Sequence, residues 1–278
     1  MKIFITGSGG QLGYELTEVL KEEELFLGRE PEHDVTNEKI IAQIQGFHPE
    51  VVIHAAAYTD VDGCEKNRDL AHRVNAVGAF HVGQAAQKCE AKLVYISTDY
   101  VFNGRKRTPY LETDNPQPIN VYGQSKLEGE QFVQQCGGRH VILRTAWLYG
   151  RRGKNFIRTI LNKAAQGEEL RVVDDQVGSP TYAKDLAQAI SIIIRRETYG
   201  LYHAAGGGAC SWYELAQEIL RLAGYNNRLV PIKSWELDRP ARRPRYSVLG
   251  QQKLNELGIR LRPWQEALAN FMKTAEDL

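Results

Sequence analysis

Lys2-Ile3-Phe4-Ile5-Thr6-Gly7-Ser8-Gly9-Gly10-Gln11-Leu12-Gly13 is the stretch that decides the fold. An apolar run of strand length leads straight into spaced glycines, and a helical pattern opens at Gln11. The first glycine suits a tight turn. The second lets backbone N–H groups approach a pyrophosphate, and the third lets helix and strand pack closely. The spacing is G-x-x-G-x-x-G, which alone could be a purely structural turn. Its position after a first strand favours a dinucleotide. Gly7, Gly10, Gln11, Leu12 and Gly13 are therefore candidate cofactor ligands.

The same rhythm continues outward. Ile3 to Thr6, Leu25 to Leu27, Val51 to His54, Leu93 to Ser97 and Val141 to Leu143 read as short buried strands. Gln11 to Glu22, Asn37 to Gly46, Arg68 to Cys89 and Val121 to Cys136 read as helices between them. This alternation predicts an α/β fold: a doubly wound parallel, Rossmann-like sheet with a smaller C-terminal α/β lobe. After about residue 150 the pattern changes. Helices are expected over Asn155 to Gln166, Tyr182 to Arg196, Trp212 to Ala223 and Trp264 to Glu276, with strands at Leu170 to Val173 and Gly200 to Ala205. Asp174 to Thr181 reads as a turn capping the helix from Tyr182. The division is a cofactor domain over 1–150, to which 181–203 returns, and a mainly substrate-binding lobe over 151–278.

Bulk properties narrow the partners. The 278 residues carry 35 Lys plus Arg against 34 Asp plus Glu, which gives no support to nucleic acid or a membrane surface as partner. No apolar run approaches the roughly 18 residues of a membrane span. No secretory leader is visible ahead of the glycine turn. Cys64, Cys89, Cys136 and Cys210 are far apart, without a C-x-x-C pair. Reduced thiols in a cytoplasmic protein are expected.

Two further stretches carry chemistry: Ser97-Thr98-Asp99-Tyr100 and Tyr122-Gly123-Gln124-Ser125-Lys126. Thr98 ends a predicted strand, where ligands sit in a doubly wound sheet. Tyr122 and Lys126 share one helical face, directed to the site if Leu127 and Phe132 face the core. Hydride addition to a carbonyl leaves an alkoxide that needs a proton. An ordinary tyrosine has a pKa of about 10, which a nearby lysine and an oxidised nicotinamide can lower. Lys126 can also hold ribose hydroxyls, and Thr98 can fix the substrate oxygen. Ala55, Ala56, Ala57 and Tyr58 follow the third strand, where small residues let a cofactor cross. Asp34-Val35 is placed to flank the adenine. Asn75 is a helical Asn that needs a partner, either within the fold or at the site. After the second strand stands Arg29 rather than an acid. It could pair with a 2′-phosphate, favouring NADPH, or be a solvated loop residue; NADH stays open.

These motifs resemble the extended short-chain dehydrogenase/reductase family, and within it the branch of dTDP-4-dehydrorhamnose reductases. The likeness runs almost end to end, through Gly10-Gln11-Leu12-Gly13, residues 55–62, 97–104 and 120–123, Arg144 to Tyr149, Asp175 to Thr181 and Arg243 to Ser247. The resemblance implies reduction of the 4-keto group of a dTDP-sugar. Val61, Thr98, Asp99, Tyr100 and Trp147 would then line the sugar site, with Arg243 on the diphosphate side. Some relatives dimerise through a metal held by acidic side chains. Glu15 fits that role, but Lys184 stands where an acid is expected, so neither a metal-bridged dimer nor Mg²⁺ is expected, and a homodimer is left open. Dehydratases of the family follow the threonine with Asp-Glu; here Asp99 precedes Tyr100. Epimerases share the Thr, Tyr and Lys. A non-catalytic alternative is an NADP-binding regulatory subunit like the methionine adenosyltransferase β-subunit.

Overall fold

The computed structural model describes residues 1–274. Six strands form the central sheet: β1 (Lys2–Thr6), β2 (Glu24–Leu27), β3 (Val51–His54), β4 (Lys92–Thr98), β5 (His140–Thr145) and β6 (Gly200–His203). Their spatial order is β6-β5-β4-β3-β1-β2, and every pairing is parallel. The winding direction reverses between β1 and β3, which opens a crevice at their carboxyl ends.

Alternate side chains of each strand enter opposite cores. Ile3, Ile5, Val51 and Ile53 pack with Leu12 and Leu16 of α1 (Gln11–Val19). Phe4, Val52 and Leu93 pack on the other face, with Ile40 and Ile44 of α2 (Lys39–Phe47). Helix α3 runs over 68–88 as Arg68–His72, a π-helical turn Arg73–Val77, and Gly78–Lys88. The remaining long helices are α4 (Val121–Gln135), α5 (Phe156–Ala165), α6 (Ala183–Ile193), α7 (Trp212–Ala223) and α8 (Trp264–Thr274). Leu186, Ile190 and Ile193 of α6 join the core that α1 covers. The last residues of the predicted final helix, 275 and 276, lie outside the described residues.

A separate core gathers Ile157 and Ile160 of α5, Leu215 and Ile219 of α7, and Leu268 and Phe271 of α8. Around it lie three short strand pairs: Leu148–Tyr149 with Thr181–Tyr182, Val177–Gly178 with Cys210–Ser211, and Leu170–Val173 with Leu229–Ile232. Thr181 does not cap α6. Tyr182 holds that position without a side-chain bond, and the Thr181 hydroxyl instead donates to the Ser179 carbonyl and accepts from Gly206 N–H. Among the described residues, no helix is long and apolar enough to cross a membrane.

Candidate active site

The glycine turn takes the shape its sequence requires. Gly7 has φ +65°, and a Cβ there would lie 2.7 Å from Ala56. A Cβ on Gly13 would lie 2.3 Å from the Gly7 carbonyl, so helix and turn touch backbone to backbone. Helix α1 therefore starts directly beneath the carboxyl ends of β1 and β3. Its N-cap, Gly10, offers no side chain to the first N–H groups.

A cleft of about 710 Å³ opens there. It brings together Gly7, Gly10, Gln11, Leu12 and Gly13 with Ala55, Ala57 and Val61, and with Thr98, Asp99, Tyr100, Tyr122, Lys126 and Trp147. Ala57 is shared with a second pocket, of about 430 Å³, which Asp34 and Tyr58 also line. Other expected residues sit behind or beside these spaces. Ala56 backs Gly7, and Val35 is buried in the core. Asn75 is buried and acts within the fold: its amide oxygen accepts from Tyr58 N–H at 2.8 Å, and its nitrogen donates to the Ser125 hydroxyl at 3.0 Å. Arg29 is exposed at the rim of the turn, where its Nε donates to the Ser8 hydroxyl at 3.2 Å. Arg243 grips Asp62 through two bonds of 2.8 and 2.7 Å and sits against the Tyr100 side chain, which lines the cleft.

Helix α4 begins where Asn120 accepts the Gly123 N–H at 2.8 Å, which puts Tyr122 in the first turn and Lys126 one turn on. Its inward face differs from the expected one. Leu127 and Phe132 are only partly buried, whereas Ser125, Lys126, Gly129 and Glu130 face inward. Glycine makes this approach feasible: a Cβ on Gly129 would lie 2.2 Å from the Tyr95 hydroxyl and 2.3 Å from the Asn75 carbonyl. The Lys126 ammonium sits 4.2 Å from the Tyr95 ring centroid. Glu130 accepts from the Ser97 hydroxyl at 2.5 Å and from Arg144 at 2.8 and 2.7 Å. Strands β4 and β5 are thereby tied to α4 beside Tyr122 and Lys126.

Burial sets the protonation states. It brings Lys126 down to about 7, against the pull of Glu130. It raises Asp99 to about 7, opposed by hydrogen bonds from Ser247 and Thr98. The Tyr122 phenol is raised by burial, with Thr98 pulling it down. In the protein alone, burial thus outweighs any depression of Tyr122. A phenol that keeps its proton suits the reductive direction, because an alkoxide is the stronger base. Thr98 Oγ1 donates to Asp99 at 3.1 Å and accepts from Tyr100 N–H at 3.2 Å, so its hydroxyl is held in place.

Several residues escaped the sequence reading, Trp212, Glu130 and Arg144 among them. Trp212 lines the cleft and stacks on Trp147 at 3.5 Å with planes 5° apart. Glu130 stands four residues after Lys126, and Arg144 interrupts an apolar strand. A buried ion pair was the available signal for both.

A family model described as the RmlD substrate binding domain matches residues 1–276. The chain belongs to the RmlD family. It is 40% identical over 275 residues to the spore coat polysaccharide biosynthesis protein SpsK of Bacillus subtilis, covering 98% of this chain and 97% of that one. It is 39% identical over 292 residues to a dTDP-4-dehydrorhamnose reductase of Aggregatibacter actinomycetemcomitans, covering 99% of both. The crystal structure of a Bacillus anthracis dTDP-4-dehydrorhamnose reductase in complex with NADP superposes with a TM-score of 0.95 at 43% identity, covering 98% of each chain. In this RmlD-family chain Glu15 is fully buried, and both its oxygens accept from Arg151 at 2.8 Å. Its carboxylate is occupied internally. Among the described residues, no group of three or more His, Cys, Asp or Glu side chains could hold a metal.

Proposed function

We propose that this chain reduces the 4-keto group of dTDP-4-dehydro-6-deoxy-L-mannose to dTDP-L-rhamnose with NADPH. The cleft fits a dinucleotide. Helix α1 presents uncapped N–H groups, and a Cβ on Gly10 would meet only the Gly7 carbonyl, at 3.3 Å, which leaves room for phosphate oxygens. Bound NADPH supplies the hydride for C4. Thr98 orients the carbonyl oxygen, and Tyr122 delivers the proton to the resulting alkoxide. Lys126 holds ribose hydroxyls and, when charged, favours the phenolate that Tyr122 leaves behind. The stacked Trp147 offers a flat apolar wall to the deoxysugar. In this reading 1–150 and 181–203 carry the cofactor, and the rest of 151–278 mainly carries the sugar nucleotide. Four free cysteines suit a reducing compartment such as the cytoplasm.

The observation that carries this reading is the convergence of Thr98, Tyr122 and Lys126 with the glycine turn in one cleft. The experiment is NADPH oxidation by the purified protein with the 4-keto sugar nucleotide. One NADPH consumed per sugar reduced supports it. Unchanged absorbance favours a regulatory subunit, and a new sugar formed without net oxidation favours an epimerase.

A further inference from the structure

The loop over 150–155 follows the short strand Leu148–Tyr149 and carries three cations in four residues: Arg151, Arg152 and Lys154. Two of them fasten it to α1. Arg151 donates to both oxygens of Glu15 at 2.8 Å, and Arg152 lies 4.9 Å from the Tyr14 ring centroid. Asn155 closes the far end, with its amide nitrogen donating to the Gln11 side-chain oxygen at 3.3 Å. The loop is thus docked along the first turns of the helix whose N-terminus faces the cleft. Lys154 does none of this fastening. It is exposed, lines the same cleft as Gly10, Gln11 and Gly13, and has no carboxylate partner among the described residues.

We propose that Lys154 is a diphosphate ligand: it engages the pyrophosphate of the dinucleotide together with the N–H groups of the Gly7–Gly13 turn. The inference rests on the cofactor reading above. A flexible ammonium held beside a helix N-terminus adds a point charge to the backbone dipoles of the glycine turn. The sugar nucleotide also carries a diphosphate. The cofactor is favoured because the partners of the Arg151, Arg152 and Asn155 side chains named above, Glu15, Tyr14 and Gln11, all belong to the helix of the glycine turn, although Arg158 of α5 adds a bond to the Arg151 carbonyl at 2.9 Å.

The test is direct binding without turnover, following NADPH by its own fluorescence and dTDP by calorimetry. Lys154→Ala should weaken NADPH about tenfold, as loss of one charge-assisted hydrogen bond does, with dTDP unchanged. Lys154→Arg should recover most of the loss. Unchanged NADPH affinity in the alanine variant overturns the proposal. So does a loss confined to dTDP, which would assign the cation to the substrate's diphosphate. A protein that binds NADPH in this way yet reduces no 4-keto sugar would sink the proposed reaction and leave Lys154 in place.

Discussion

Helices α4 and α7 both lean on the central cleft, yet they are held by opposite means. Helix α7 turns Leu215, Ala216, Ile219 and Leu220 inward. Ser211 and Glu214 form a reciprocal capping box at its start, and Gly224 closes it in the left-handed conformation with φ 73°. It is an ordinary amphipathic helix, stabilised by removing apolar area from water. Helix α4 turns Ser125, Lys126 and Glu130 inward, with Val133 as its one fully buried large apolar side chain. Its anchor is a polar network to Asn75, Ser97 and Arg144. Such a network adds little net stability compared with an apolar core, but each member accepts only one arrangement of its partners. The helix that carries Tyr122 and Lys126 is built for fixed geometry, and the helix beside it for cohesion.

The largest test of that contrast is Tyr122→Phe. Turnover should drop by about 10²–10⁴-fold while NADPH binding and melting temperature stay near the parent values. A near-normal rate would remove Tyr122 from the proton path. Next is Arg144→Met, which leaves Glu130 buried without its ion pair. Denaturant unfolding should show a loss of about 3–5 kcal/mol, and the rate per folded molecule should fall too, because α4 loses its tie to β5. Ile219→Ala on α7 should destabilise by a similar or smaller amount, about 2–4 kcal/mol, but leave the rate per folded molecule intact. Equal kinetic damage in the two variants would erase the distinction between the helices.

A finer test uses pH. Lys126 titrates near 7 in the protein, so its charge is lost as pH rises through that value. The ratio kcat/KM should then fall on the alkaline side with a midpoint near 7, and Lys126→Arg should abolish that limb. Asp99 also sits near 7, and Asp99→Asn should leave the limb in place if Lys126 is its source. Stability runs the other way for this lysine. From about 7 up to its ordinary 10.5 the unfolded chain holds a proton that the folded one lacks, so stability from this group rises with pH. The smallest effect is Ser211→Ala, which should cost about 1 kcal/mol of stability through the lost cap of α7, with kinetics unaffected.

Much of the fold was legible where its signals are local. Val51–His54 and Trp212–Ala223 match the predicted bounds, since an apolar run or a helical period is complete within a few residues. Thr98, Tyr122 and Lys126 could be placed together from strand ends and helical spacing. The two-residue strands at Leu148, Val177, Thr181 and Cys210 could not, because each exists only through a partner far away in sequence. The inward face of α4 was misjudged for a related reason. Leu127 and Phe132 look like core residues by hydrophobicity. The contacts that bury Lys126 and Glu130 come from β4 and β5, which the helix's own pattern does not reveal.

Strand β6 has a consequence for how the protein is made. It completes the sheet by pairing with β5, and α6 just ahead of it covers α1. On the ribosome, β5 must wait with one edge bare while residues 146–199 are added, several seconds at about 5–20 residues/s. A fragment cut after the first 150 residues would keep that edge exposed for good and lose the α6 cover over Leu12 and Leu16, so it should aggregate rather than fold as a free-standing cofactor module.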